Sequence, residues 1–93
     1  MSYRVEFLDE ALKQLRSLPR AVQRTIAVRI DALSDNPRPP TARPLQGELR
    51  GRWRIRVGDC RVVYAIEDEI LLVIVIEVGH RRDIYERVRR RRR

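Results

Sequence analysis

Trp53-Arg54-Ile55-Arg56-Val57-Gly58-Asp59-Cys60-Arg61-Val62-Val63-Tyr64 is the stretch whose reading decides the fold. Apolar and cationic residues alternate up to Val57, the period-two pattern of a strand with one wet face. Gly58-Asp59 reads as a two-residue hairpin loop, and loop length fixes the register of the strands it joins. In that register Val57 opposes Cys60, Arg56 opposes Arg61, Ile55 opposes Val62 and Trp53 opposes Tyr64. Directly opposed residues share a face. Trp53, Ile55, Val57, Val62 and Tyr64 therefore line one side, and Arg54, Arg56 and Arg61 the other. Like charges opposed across a strand pair destabilise it, by roughly a few tenths of a kcal/mol or more. No nearby acid is expected to share that face, since Asp59 sits in the turn and Glu48 lies beyond Gly51. The pattern predicts an open sheet face that uses its arginines on an anion such as phosphate.

Working outward, Tyr3-Arg4-Val5-Glu6-Phe7 alternates and reads as a first strand. Leu8, Ala11, Leu12, Leu15 and Leu18 then fall at helical spacing, with Asp9 as the expected N-cap. Pro19 is suited to open a second helix, whose buried stripe is Val22, Ile26, Ile30 and Leu33, with Ala27 beside it. The two form an antiparallel helical hairpin that Asn36-Pro37 stops. Pro37, Pro39, Pro40 and Pro44 make a stiff extended loop, incompatible with a helix or a central strand. Leu45 to Leu49 reads as a short edge strand, broken by Gly47 and Gly51. Beyond the arginine hairpin, Glu67-Asp68-Glu69 turns the chain. Leu71 to Val78 is apolar at nearly every position, as a strand covered on both faces would be, and Gly79 is the expected end of it. Strand, two helices, then an antiparallel meander is an α+β domain with the helices on one sheet face.

The chain has 93 residues, enough for one domain, placed at 1–88 with a basic tail at 89–93. Cys60 is the only cysteine, so no intrachain disulfide or cysteine metal site is expected. The opening Met1-Ser2-Tyr3-Arg4 is polar, and the apolar run from Ile70 to Ile76 is far too short to span a bilayer. The expectation is a soluble, cytoplasmic protein with no membrane partner. Net charge is +8, more than half of it from Arg89 to Arg93, which draws polyanions without specifying one. Almost every basic residue is arginine, Lys13 being the only lysine. The plain reading of that excess is codon bias in a GC-rich genome. On the sheet, the planar guanidinium fork matters for phosphate.

A second constellation follows the apolar strand. His80, Arg81 and Tyr85 leave the sheet at its C-terminal end, a common place for functional groups on a rigid scaffold. If that strand lies beside the strand of Arg61, these groups can converge on the arginine face. Two of them also have a plain reading: His80 as an exposed loop histidine and Tyr85 as a core aromatic packed over the sheet edge. Trp53, Tyr64 and Cys60 are assigned to the core. No metal set, paired buried carboxylates, glycine-rich phosphate loop or nucleophile–base pair is visible, and no cofactor is expected.

Pro44-Leu45-Gln46-Gly47-Glu48-Leu49, the stretch from Gly51 to Tyr64, and Val78-Gly79-His80-Arg81-Arg82-Asp83-Ile84-Tyr85 together resemble the RelE/ParE superfamily of bacterial toxins. The resemblance extends over essentially the whole chain and implies a small microbial-RNase-like α+β fold. It implies one of two activities. RelE-type members enter the ribosomal A site and cut mRNA without metal, by 2′-OH attack. ParE-type members poison DNA gyrase and generally lack the basic catalytic set. Residue by residue, Arg54 and Arg56 fall where RelE-type toxins carry two basic residues, often lysines. Arg61 matches the arginine opening the next strand, Arg81 the arginine after the glycine, and Tyr85 the base-stacking tyrosine. That set favours the RelE type, an endoribonuclease held inactive by a cognate antitoxin and acting on ribosome-bound mRNA. A gyrase poison is the alternative, and a non-catalytic RNA-binding module the third reading. Whether the chain forms a homodimer or a hetero-oligomer with the antitoxin stays open. Arginine in place of lysine matters, because a guanidinium is a poor base. His80, the chain's one imidazole, is therefore the candidate acid–base residue.

Overall fold

The computed structural model describes residues 2–80. Five strands and two helices follow in the order β1 (Arg4–Phe7), α1 (Asp9–Arg16), α2 (Arg20–Ala32), β2 (Arg43–Pro44), β3 (Trp53–Val57), β4 (Cys60–Glu67) and β5 (Leu72–His80). The strands form one sheet in the order β1-β5-β4-β3-β2. β2 to β5 are antiparallel neighbours, and β1 adds to β5 in parallel, so the sheet is mixed. The α+β architecture and the helical hairpin are as the sequence pattern predicts.

The helices cover one sheet face. Ala11 and Leu15 of α1, Ile26 and Ile30 of α2 and Leu33 meet Ile55, Val57, Val62, Tyr64, Val73, Val75 and Val78 in the main core. Tyr64 is fully buried there, and its hydroxyl donates to the Pro37 carbonyl at 2.7 Å. Burial pushes its pKa up to about 12. Trp53 opposes it from β3, partly buried against the same cluster. The Arg38 guanidinium lies 5.4 Å over the Trp53 ring. The same guanidinium grips Asp68 with two nitrogens at 2.8 and 3.1 Å, and the Tyr3 hydroxyl donates to Asp68 at 2.7 Å. This clasp ties β1, the proline loop and the β4–β5 turn together.

Several local expectations are corrected. Asp9 is the first residue of α1 rather than its cap; Leu8 holds the cap position with no side-chain bond, its N–H donating to the Val75 carbonyl at 3.0 Å. The edge strand is Arg43–Pro44, not 45–49, because Gly47 takes φ +63° and the chain there closes into a 3-10 turn at Gly47–Leu49. A proline fits that edge because one side of the strand has no ladder to satisfy. β5 continues through Gly79 to His80, since Arg61 and Cys60 of β4 extend the ladder to both.

Candidate nucleic-acid interface

The β3–β4 hairpin has the register read from its two-residue loop: Val57↔Cys60, Arg56↔Arg61, Ile55↔Val62, Arg54↔Val63 and Trp53↔Tyr64. Gly58 takes φ +60°, the left-handed conformation such a turn needs and glycine adopts freely. Arg54, Arg56 and Arg61 thus share the face away from the helices. The ladder extends across neighbouring strands. One row runs Arg43–Arg54–Val63–Glu77 from β2 to β5, and the next runs Arg56–Arg61–Gly79.

This face is not uniformly open, contrary to the sequence reading. Val63 is fully buried beneath Leu49 and Leu45, a small apolar cap supplied by the segment after β2. Arg56 is exposed and Arg54 half-buried, but Arg61 retains only 8% exposure. Its Nη1 donates to the Cys60 carbonyl at 3.2 Å, and its ladder partner Gly79 offers no side chain to displace it.

The expectation that no acid shares the face is also corrected. Glu77 lies in the row of Arg54 and is fully buried. Its carboxylate accepts from Gln14 Nε2 at 2.7 Å, while Gln14 Oε1 accepts from the Val78 N–H at 2.9 Å. The last β1–β5 ladder pair is Phe7↔Val75, so further along the α1 side chain Gln14 takes up the strand edge that β1 leaves. The alternation of residues within one hairpin could not reveal an acid on a third strand.

Sequence reasoning also passed over Arg43 and Arg52. Arg43 opposes Arg54, but its Nη1 turns back to the Pro40 and Ala42 carbonyls, so it braces the proline loop. Arg52 stands two residues before Arg54, and the same alternation that singled out Arg54 and Arg56 reaches it. Its Nε is buried with no hydrogen-bond partner among the described residues, which costs about 1–3 kcal/mol if nothing binds there.

His80 falls in the row Val57–Cys60–His80, on the helix side by parity, one step from the Arg56–Arg61–Gly79 row. The side chain is exposed at the last residue of β5. The register therefore does not bring His80 onto the arginine face. Arg81, Tyr85 and the tail 89–93 lie outside the described residues. Cys60 is only partly buried. It lines a groove of about 330 Å³ with Val57, Gly58, Asp59 and Ala21, Val22 and Thr25 of α2. Burial first, then the Asp59 carboxylate, push its thiol pKa up, so it is a poor nucleophile.

Comparison with known proteins matches this architecture. The family described as the ParE toxin of type II toxin–antitoxin systems, parDE, matches residues 5–85. The chain belongs to the RelE/ParE toxin superfamily. It is 38% identical to Toxin RelG of Mycobacterium tuberculosis, covering 94% of this chain and 100% of that toxin. It is 35% identical to a RelE-like toxin protein of Escherichia coli, over 91% of this chain and 92% of the relative. A solved structure of the M. tuberculosis toxin–antitoxin complex RelBE2 superimposes with a TM-score of 0.79 at 32% identity, over 87% of this chain and 93% of that one. The chain is thus a toxin of the type II toxin–antitoxin class.

Proposed function

We propose that this RelE/ParE-superfamily toxin is of the RelE type, an endoribonuclease that cuts mRNA in the ribosomal A site. The observation that carries the reading is the pairing of Arg56 with Arg61 on the face that also holds Arg54. A gyrase poison has no evident need for opposed cations there, whereas a phosphoryl-transfer site does. The RelE names of the full-length relatives support the same choice.

In this reading the ribose 2′-OH attacks the adjacent phosphorus, the P–O5′ bond breaks, and a 2′,3′-cyclic phosphate and a 5′-OH result. The 2′-OH proton leaves, and the 5′ oxygen gains one. Arg54, Arg56 and Arg61 donate paired N–H groups to the non-bridging oxygens as charge builds on the phosphorane. By the family correspondence Arg81 adds a further donor, and Tyr85 stacks on a base. No arginine serves as base. Rate comes mainly from positioning and electrostatics, with the ribosome arranging the mRNA. The chemistry uses no metal or cofactor.

The partner that silences the toxin is a cognate antitoxin, as in the solved RelBE2 complex. It acts in the cytoplasm. Among the described residues no helix is long and apolar enough to cross a membrane. The ParE description of the matching family favours one rival, gyrase poisoning. Induced expression separates them. Primer extension on a reporter transcript should show cuts within codons as translation stops. Intact mRNA with accumulating cleaved DNA–gyrase complexes would assign the chain to the ParE type.

A further inference from the structure

We propose that Arg52 is a further substrate-binding residue, holding the phosphate next to the one met by Arg54 on a single RNA strand. The inference rests on the RelE-type reading and extends its site along β3.

Three observations carry it. The first is placement. The Leu45 N–H donates to the Arg52 carbonyl at 2.9 Å, one step beyond the Pro44↔Trp53 pair, while the Arg52 N–H donates to the Leu49 carbonyl at 3.1 Å, so Arg52 stands at the entry to β3 opposite Leu45. Leu45 packs with Leu49 and Val63 on the arginine face. Strand alternation then sets Arg52, Arg54 and Arg56 on that face at steps of about 6.6 Å. The second is shape: three guanidinium groups in file along one strand suit a backbone of successive phosphates better than one isolated anion. The third is the Arg52 Nε. It is buried and has no hydrogen-bond partner among the described residues. A buried polar N–H is ordinarily paired, and one left over needs a reason. A phosphate oxygen supplies the missing acceptor once the side chain turns out from under its cover.

The Nε–H group is itself the probe. In uniformly ¹⁵N-labelled protein its ¹H–¹⁵N resonance is assigned by its disappearance in Arg52→Lys, and a single-stranded RNA nonamer is titrated in. The resonance should shift and saturate with the RNA. The slope of log affinity against log salt should flatten by about 0.7 in Arg52→Ala, the share of one single-strand phosphate contact. Arg24→Ala, on α2, should leave the slope unchanged. On programmed ribosomes Arg52→Ala should raise the half-saturating toxin concentration several-fold and leave the saturated single-turnover rate intact. If the wild type binds the nonamer but the Arg52 resonance stays still and the slope is unaltered, the proposal is overturned while the RelE-type reading stands. If the wild type ignores the nonamer and Arg52→Ala leaves the half-saturating toxin concentration on programmed ribosomes unchanged, the proposal is likewise overturned, and a wild type that cuts no mRNA on those ribosomes overturns the RelE-type reading as well.

Discussion

Arg56 and Arg61 oppose one another across the β3–β4 hairpin, yet Arg56 is exposed and Arg61 keeps 8% of its surface. The hairpin holds two like charges in register without letting water screen both equally. Paired cations of this kind repel in the free protein and are relieved when an anion sits between them. The nearly buried guanidinium gains more from that anion than the exposed one, because less water screens it.

Arg61→Ala should therefore lower single-turnover mRNA cleavage on ribosomes by about 10²-fold or more, the scale of removing one transition-state donor. Ribosome binding should fall much less, since other phosphate contacts remain. Arg61→Lys should recover little of the rate, because a point charge does not reproduce the planar fork. Equal losses of binding and rate would make Arg61 a docking residue rather than a catalytic one.

Gln14 is the hinge between α1 and the far end of β5. Gln14→Ala removes a donor from the buried Glu77 carboxylate and an acceptor from the Val78 N–H. The expected cost is about 1–3 kcal/mol, higher if the carboxylate stays charged, read from the urea midpoint at constant m-value. Gln14→Glu should destabilise further, by setting a second carboxylate against the first. Unchanged stability in both would show that the pairing contributes nothing net.

The register, the helical hairpin and the assignment of Trp53 and Tyr64 to the helix side were legible because each rests on local periodicity and one short turn. The site was less so. Glu77 joins the arginine row through β5, fourteen residues after its row neighbour Val63, and only strand order reveals it. The burial of Val63 under Leu45 and Leu49 is likewise a tertiary event. Reading 45–49 as a strand failed because Gly47 adopts a left-handed backbone there, whereas Arg43 and Pro44 found a partner in β3. Arg52 was within reach of the same alternation that exposed Arg54 and Arg56.

Asp68 gives the fold an acid-sensitive contact. The Arg38 guanidinium first, and the Tyr3 hydroxyl second, hold its carboxyl down at about 2. A carboxyl lowered in the folded state stabilises fully above its ordinary value near 3.9 and loses that contribution as pH falls towards 2. The melting temperature of Asp68→Asn should lie below the wild type at pH 7, modestly because the pair is solvent-exposed. The gap should narrow between pH 4 and pH 2. A gap independent of pH would mean that the clasp acts through shape and not charge.

His80 offers the sharpest test of how the site divides its labour. Among the described residues it is the one imidazole, and the arginines cannot act as bases. Yet its ladder row is that of Cys60 and Val57, on the helix side of the sheet. Parity thus sets it off the face where Arg54, Arg56 and Arg61 gather. His80→Gln should leave the saturated single-turnover rate within about threefold of wild type. The rate should keep its wild-type dependence on pH between about 5.5 and 7.5, the interval in which an ordinary imidazole titrates. A flattened profile with a rate loss of about 10²-fold or more would show that the end of β5 swings its last side chain round to the phosphate, and would make His80 the acid or base of the reaction. The expected silence leaves arginine electrostatics and the geometry imposed on the mRNA as the source of the rate.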